Sequence, residues 1–334
     1  MSSRSFQRFI GLLLIVALVL TVVVVPAAAQ SESGKWCAGK RIRFFVGGAE
    51  GDAFASIVLR GAQAAEADLG PTVEYVFSGW NTDRMIQQLR EAIAAQPDGI
   101  AMMGHPGDAA IMPLAEEAAA AGIAMMYQNV DVPEVRARFG GGYVGAQLYP
   151  QGYALGEELI RLYGFGEGDA AIVYSGWTQP GRFIREQATV DALEAAGVTV
   201  IKVNSLPEWA SDPNQATPVM APIVADTPNL RLIVHPGGQH LGVVPTMMET
   251  FGKAPGEIIN AGFDTSPAVI EAFDSGYVQL TSDQQPFLQG YIPILSLCGT
   301  LVYGLGPLNV DTGAGFVTPD NYQVVGELAK LGYR

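Results

Sequence analysis

The sequence predicts an α/β protein built from two doubly wound parallel sheets. From Arg41 onward, short β-rich runs alternate with amphipathic helical stretches, which is the pattern of parallel sheets covered by helices. Most of these runs are continuously apolar, as strands buried on both faces should be. The units are too numerous for one ordinary sheet. We therefore expect two lobes, with the change near residues 140–142, where three glycines interrupt the pattern.

The predicted strands are the apolar runs between the helical stretches. They cover residues 41–47, 73–78, 99–103, 123–128, 170–174, 199–204, 232–235, 258–263 and 279–283. The first helix carries one apolar stripe from Phe54 to Leu69 and ends at Gly70. Later helices end at Gly122 and Gly197. Because glycine adopts the left-handed conformation easily, each can turn the chain into the next strand.

Residues 1–29 predict a secretory signal peptide. A basic start is followed by an apolar stretch and then by Pro26 and three alanines, which fits cleavage after Ala29. Because the apolar stretch is nearly long enough to span a membrane, an uncleaved anchor is the alternative. An exported protein of a cell with two membranes is periplasmic, so we expect that compartment.

Composition excludes several classes of protein. The 33 acidic residues outnumber the 19 basic ones, and the formal charge of −14 argues against binding to nucleic acid or to an anionic membrane surface. Two cysteines are too few for a disulfide scaffold or a four-cysteine zinc site. In an oxidising compartment Cys37 and Cys298 either form a disulfide or remain two buried thiols.

The sequence carries no signature of catalysis. It lacks a G-x-S-x-G elbow, an H-E-x-x-H pair and a P-loop. His105, His235 and His240 match no compact metal-binding spacing. The glycine-rich loop from Gly47 to Gly51 lacks the dinucleotide spacing, and Asp52 at the helix start would repel a pyrophosphate. We therefore expect neither an enzyme nor a cofactor or metal.

Polar and aromatic residues follow the predicted strands, at the edge where open parallel sheets bind ligands. They are Asp52, Phe54, His105, Asn129, His235, Asp264 and Gln284. Arg185 adds a charge, and Trp209 is either a second aromatic face or a hydrophobic plug beneath its loop. A neutral polyhydroxy ligand needs carboxylates and amides for its hydroxyls and aromatic faces for its C–H patches. The set therefore favours reversible binding of such a ligand.

Six groups of short motifs occur in a specific order and spacing. They are Gly51-Asp52-Ala53-Phe54 with Gly61-Ala62-Gln63-Ala64-Ala65-Glu66, Pro97-Asp98-Gly99-Ile100, Ala121-Gly122-Ile123, Val144-Gly145 with Gly152, Gly262-Phe263-Asp264, and Gln284-Gln285-Pro286 with Gly290-Tyr291. Through these motifs, which span nearly the whole chain after residue 29, the sequence resembles the periplasmic sugar-binding proteins of the ribose-binding type, which serve ABC importers.

The resemblance implies two α/β lobes joined by three hinge segments, closing on a monosaccharide or polyol. The expected lobes are residues 38–146 with 286–314, and residues 147–285 with 315–334. By position in the family's motifs, the ligand-binding residues would be Asp52, Phe54, Arg185, Trp209, Asp264 and Gln284. The implied partner is a membrane ABC permease, and we expect a monomer.

The chain also departs from the family pattern. Asn129-Val130 replaces a common charged pair, His235 begins a segment where Asn-Asp is frequent, and His105 replaces a small polar residue. Residues 144–147 lack the usual acidic ending of the first hinge. The identity of the sugar therefore does not carry over. Two alternatives are a furanose-like signal or chemoreceptor ligand and, less favoured, a secreted enzyme on the same scaffold.

Overall fold

The computed structural model describes residues 34–178, 181, 183–206, 208–313 and 315–334. The predicted signal peptide lies outside these residues. The described strands are β1 (Arg41–Gly47), β2 (Thr72–Phe77), β3 (Gly99–Met103), β4 (Ala124–Gln128), β5 (Gly142–Gly145), β6 (Ala170–Ser175), β7 (Thr199–Asn204), β8 (Leu230–His235), β9 (Ile259–Phe263), β10 (Leu280–Asp283), β11 (Val310–Asp311) and β12 (Gly315–Val317).

The described helices alternate with these strands. They are α1 (Ala53–Leu69), α2 (Thr82–Ala94), α3 (Asp108–Ala120), α4 (Pro133–Phe139), α5 (Leu148–Tyr163), α6 (Ile184–Ala195), α7 (Glu208–Ser211), α8 (Ala216–Ala225), α9 (Gly238–Gly242), α10 (Val244–Thr250), α11 (Pro267–Asp274), α12 (Pro286–Tyr303) and α13 (Tyr322–Lys330). A short 3₁₀ helix covers Pro213–Gln215.

The strands form two six-stranded sheets, which confirms the predicted fold class. The first has the order β11-β5-β4-β3-β1-β2 and the second the order β12-β10-β9-β8-β6-β7. All pairs are parallel except β10 with β12. Every residue of β3 and β6 is buried, because helices cover both faces of each sheet.

Strands β5, β11 and β12 were not predicted. A Cβ atom on Gly142, the first residue of β5, would collide with the carbonyl oxygen of Leu308. The glycines make this strand hard to recognise in the sequence. Gly142 is nevertheless required, because it leaves room for the Leu308 carbonyl. β11 has two residues and β12 has three, which is too short for a hydrophobic pattern.

In the described chain the backbone passes between the sheets three times, after β5, after β10 and between β11 and β12. The three crossings are adjacent, since the Thr312 amide donates to the Gly145 carbonyl at 3.1 Å and the Gln285 side chain donates to the Thr312 carbonyl at 3.1 Å. The expected boundaries at 146/147, 285/286 and 314/315 fall in these connections, and we propose them as the limits of the two lobes.

Helix α12 completes the first lobe although it follows β10 in the chain. It packs against α1 at backbone contact, because a Cβ atom on Gly290 would collide with the Val58 carbonyl. A disulfide joins Cys298 of α12 to Cys37, with 5.5 Å between their Cα atoms. The helix is long and apolar enough to cross a membrane, yet half of it is buried in the protein, as in a core helix.

Candidate ligand cavity between the lobes

A cavity lies where the carboxyl ends of both sheets meet. Its lining residues come from both lobes and are Phe54, Trp80, His105, Asn129, Val130, Leu148, Gly176, Arg185, Ser205, Leu206, Ala210, Pro236, Gly237, Gln239, His240, Asp264 and Gln284. Six of the nine sequence-predicted binding residues are among them. The other three, Asp52, Trp209 and His235, do not line it.

The wall formed by the first lobe is aromatic. The ring of Trp80 lies 5.8 Å from that of Phe54 and 5.3 Å from that of His105, centroid to centroid. Faces of this kind bind the C–H patches of a sugar ring. Trp80 has a φ of +58°, so the turn after β2 holds a non-glycine residue in the left-handed region.

Asp52 lies behind this wall and supports it. Its Oδ1 accepts from the Ala55 amide at 2.8 Å and caps α1, while its Oδ2 accepts from Nε1 of Trp80 at 3.0 Å. Burial raises the pKa of Asp52, and the hydrogen bonds from Ala55 and Trp80 oppose that rise. Asp52 therefore orients an aromatic side chain of the cavity.

Amide and carboxylate side chains meet at the hinge side of the cavity. Nε2 of Gln284 donates to Oδ1 of Asp264 at 2.6 Å, and Nδ2 of Asn129 donates to Oε1 of Gln284 at 3.3 Å. Asn129 and Asp264 directly follow β4 and β9 and have φ values of +66° and +73°. Non-glycine residues in this region cluster at ligand clamps. The three side chains offer donors and acceptors suited to hydroxyl groups.

Arg185, in the first turn of α6, brings a positive charge to the cavity. Its guanidinium carbon lies 3.8 Å from the ring centroid of Phe263, and Nη2 donates to the Pro236 carbonyl at 2.8 Å. Nη2 also lies 3.2 Å from Oε1 of the buried Glu186. The stacking and hydrogen bonds fix the planar group in one orientation, as directional recognition requires.

His235 ends β8, but its side chain lies in the core of the second lobe. Nδ1 lies 2.8 Å from the Tyr174 hydroxyl and Nε2 lies 3.0 Å from Oδ1 of Asn260. Burial lowers the pKa of His235 to about 4, although the hydrogen bond from its Nε2 to Oδ1 of Asn260 opposes this shift. The imidazole is therefore neutral near pH 7, and the next residues, Pro236 and Gly237, reach the cavity in its place.

Trp209 is also a core residue in this structure. Only 3 % of it is exposed, and its ring packs edge-on against Tyr174, with 6.4 Å between the ring centroids. This is the hydrophobic-plug arrangement. Its neighbours Leu206 and Ala210 line the cavity and give that side an apolar surface.

Sequence reasoning missed Trp80, Gln239 and His240 as lining residues. Trp80 follows β2 by three residues, and the other two lie in the short helix α9, which begins three residues after β8. The rule that ligands bind beyond strand ends would have found them had it been applied to β2 and to the whole segment after β8. Among the described residues, no three His, Cys, Asp or Glu side chains converge to hold a metal ion.

A family model for the periplasmic binding protein domain matches residues 43–301. The chain belongs to this family. The match spans most of both lobes and agrees with the resemblance drawn from the motifs, which is thereby confirmed. As a periplasmic binding protein, the chain has its cavity in the position expected for an open α/β sheet, beyond the carboxyl ends of the strands.

The sequence identity to individual relatives is low. The chain is 28 % identical over 260 residues to a xylose/arabinose-binding protein of Sulfolobus acidocaldarius, covering 73 % of this chain and 62 % of that protein. It therefore spans less than two thirds of the length of that relative.

Solved structures share the fold at low identity. A carbohydrate transporter protein of Acidothermus cellulolyticus in complex with myo-inositol superposes with a TM-score of 0.75 at 24 % identity, over 88 % of this chain and 99 % of that one. An ABC transporter solute-binding protein of Burkholderia graminis in complex with D-arabinose gives 0.75 at 20 % identity, over 85 % and 97 %.

Proposed function

We propose that this periplasmic binding protein captures a neutral monosaccharide or polyol between its lobes and delivers it to a membrane ABC importer. The observation that carries the proposal is one cavity with an aromatic wall from one lobe and an Arg–carboxylate–amide group at the opposite lobe and hinge. A sugar presents both of the surfaces that these walls match.

The second lobe supplies the polar recognition. Asp264 accepts from ligand hydroxyls, and Arg185 donates to hydroxyl or ring oxygens. Hydrogen bonds to charged groups are the stronger ones, so this pair sets orientation and affinity. Asn129 and Gln284 each both donate and accept, which suits hydroxyl groups that do the same.

The ligand acts by stabilising one arrangement of the lobes. Trp80 belongs to the first lobe and Arg185 to the second, so a ring between them contacts both only when the cleft is closed. A ligand shifts such an equilibrium by its differential affinity for the closed over the open state. Closure then presents both lobe surfaces together to the permease.

The ligands named for the relatives support this class of ligand. myo-Inositol and D-arabinose are bound in the two related structures, and xylose and arabinose are named for the Sulfolobus protein. All are small, neutral and densely hydroxylated.

The apolar residues Leu148, Leu206 and Ala210 add a face that bears no hydroxyl partner, which suits a ring with an unsubstituted edge.

Calorimetric titration with D-xylose, L-arabinose, D-arabinose, D-fucose and myo-inositol tests the proposal. We expect at least one to bind with micromolar affinity, about 8 kcal/mol, and to be recovered chemically unchanged. Glycerol, which lacks a ring, serves as the control and should not bind. No heat from any of the five sugars and polyols would overturn the proposed function, and a chemically altered ligand would favour the enzyme alternative.

We also propose that the protein is exported, cleaved after Ala29 and monomeric. The disulfide between Cys37 and Cys298 supports export, because such bonds persist in oxidising compartments. The mass of the protein recovered from the periplasm tests the cleavage site, and light scattering tests the monomer. A recovered chain that retains residues 1–29, or a stable dimer, would contradict these statements.

A further inference from the structure

A buried glutamine outside the cavity connects the polar ligand residues to the hinge. Gln289, in the first turns of α12, is completely buried and does not line the cavity. Its Nε2 shares its two N–H groups among three acceptors, the Gln284 carbonyl at 3.1 Å, Oε1 of Gln284 at 3.1 Å and Oγ1 of Thr312 at 3.0 Å. Its Oε1 accepts from Nδ2 of Asn129 at 3.0 Å.

The direction of each hydrogen bond follows from one group that can only accept. The backbone carbonyl of Gln284 is that group, so Nε2 and not Oε1 of Gln289 must face it. The same Nε2 also faces the Gln284 side chain, which must therefore turn its Oε1 toward Gln289. Nε2 of Gln284 is then left to donate to Asp264.

A reversed Gln284 amide would be unfavourable at both ends. Its NH₂ would face the donors of Gln289 and Asn129, and its oxygen would face the Asp264 carboxylate. Buried polar groups that lose their partners cost free energy, so the network selects one orientation.

Gln289 is itself fixed by the packing of the first lobe. It precedes Gly290, where α12 contacts the backbone of α1. Thr312 lies in the third crossing between the sheets and Gln284 lies in the second. The Gln289 amide therefore links two crossings to the packed pair of helices α1 and α12.

We propose that Gln289 is a positioning residue, which sets the orientation of the Gln284 amide and thereby holds Asp264 in place for the ligand. This inference rests on the proposed function for its effect on affinity. The orientation of the Gln284 amide can be measured without any ligand.

The affinity test is a double-mutant cycle on Gln289→Leu and Gln284→Leu, with the tightest binder among D-xylose, L-arabinose, D-arabinose, D-fucose and myo-inositol as the probe. Gln289→Leu alone should weaken binding about tenfold, chiefly through faster dissociation. Added to Gln284→Leu, it should change the affinity by about twofold or less, because the group through which it acts is already gone. Fully additive losses would overturn the inference.

Gln279→Leu is the matched control. Gln279 is another buried glutamine, bonded to the Asn260 amide and the Gly276 carbonyl, and it does not line the cavity. This variant should lower thermal stability while leaving the affinity unchanged. An equal loss of affinity in both variants would mean that Gln289 acts only through general stability, which would overturn the positioning role.

The ligand-free test uses ¹⁵N-glutamine labelling and NMR. In the unmodified protein the side-chain NH₂ of Gln284 should exchange slowly with solvent, because it is buried and donates to Asp264. Gln289→Leu should shift this signal and speed its exchange, whereas Gln279→Leu should not. An unchanged Gln284 signal in Gln289→Leu would refute the inference, whether or not any of the five probes binds. Failure of all five probes to bind would overturn the proposed function alone.

Discussion

Asp52 holds the indole of Trp80 by a hydrogen bond of 3.0 Å between Oδ2 and Nε1, while its other oxygen caps α1. One carboxylate thus fixes both the start of a helix and the orientation of an aromatic wall. The two roles are separable by substitution, because they use different oxygens and different donors.

Asp52→Ala should lower both stability and ligand affinity. Loss of the cap costs about 1 kcal/mol of unfolding free energy, and loss of the bond to Trp80 lets the indole rotate away from the ligand. Trp80→Phe removes the same hydrogen bond and leaves the cap, so it should weaken binding with less loss of stability. Chemical denaturation and calorimetry of both variants check this. Equal affinity in Asp52→Ala and the unmodified protein would refute the supporting role.

Asp264→Asn should weaken sugar binding by about 1–3 kcal/mol, because a charge-assisted acceptor becomes a neutral amide beside the Gln284 amide. Arg185→Ala should have an effect of similar size, since the stacked guanidinium is lost from the cavity. Calorimetry with the tightest of the five panel compounds measures both.

Asp226→Asn is the control for Asp264→Asn, because Asp226 is an exposed aspartate at the end of α8 and does not line the cavity. Its affinity should equal that of the unmodified protein. If Asp264→Asn and Arg185→Ala also bind normally, the assignment of this cavity as the binding site is incorrect.

Reduction of the disulfide between Cys37 and Cys298 should destabilise the protein without changing affinity. The bond closes a loop with a sequence separation of 261, and loss of a native disulfide commonly costs about 2–5 kcal/mol. Neither cysteine lines the cavity. Thermal unfolding with and without reductant measures the effect, and the Cys37→Ala/Cys298→Ala double variant should not respond to reductant. A melting temperature that reductant leaves unchanged in the native protein would contradict the bond.

The sequence predicted strands well where burial on both faces leaves a continuous apolar run, as in β1 and β3, which have their predicted ends. The sequence did not reveal β5. This strand contains Gly142 because the Leu308 carbonyl approaches its backbone closely, and that contact comes from a distant part of the chain. Local patterns cannot carry that information.

The residues of the candidate site, like the strands, were predictable only in part from the sequence. The position of a residue after a strand indicates that it lies near the ligand edge, and Asn129, Asp264 and Gln284 line the cavity in this way. The rule does not say to which side of the sheet the last side chain points, so His235 was expected at the cavity and lies in the core. The network around Gln289 joins segments far apart in the chain and had no sequence signal.

The buried His235 predicts a loss of stability in mild acid. Its pKa is lowered to about 4 in the folded protein, whereas an unfolded histidine titrates near 6.5. Between these values the unfolded state binds the extra proton, so the free energy of unfolding falls as pH falls from 6.5 toward 4. The expected slope is about 1 kcal/mol per pH unit, and the total about 3 kcal/mol.

His235→Gln separates this effect from other titrations. Glutamine cannot take up a proton, so this variant should unfold with a free energy that is flatter between pH 6.5 and 5, whatever its absolute stability. The comparison stays above pH 5 because carboxylates begin to titrate below it. Urea unfolding at several pH values measures both slopes. Parallel slopes in the two proteins would show that the imidazole takes up protons equally well in the folded and unfolded states, and burial would then not hold it neutral.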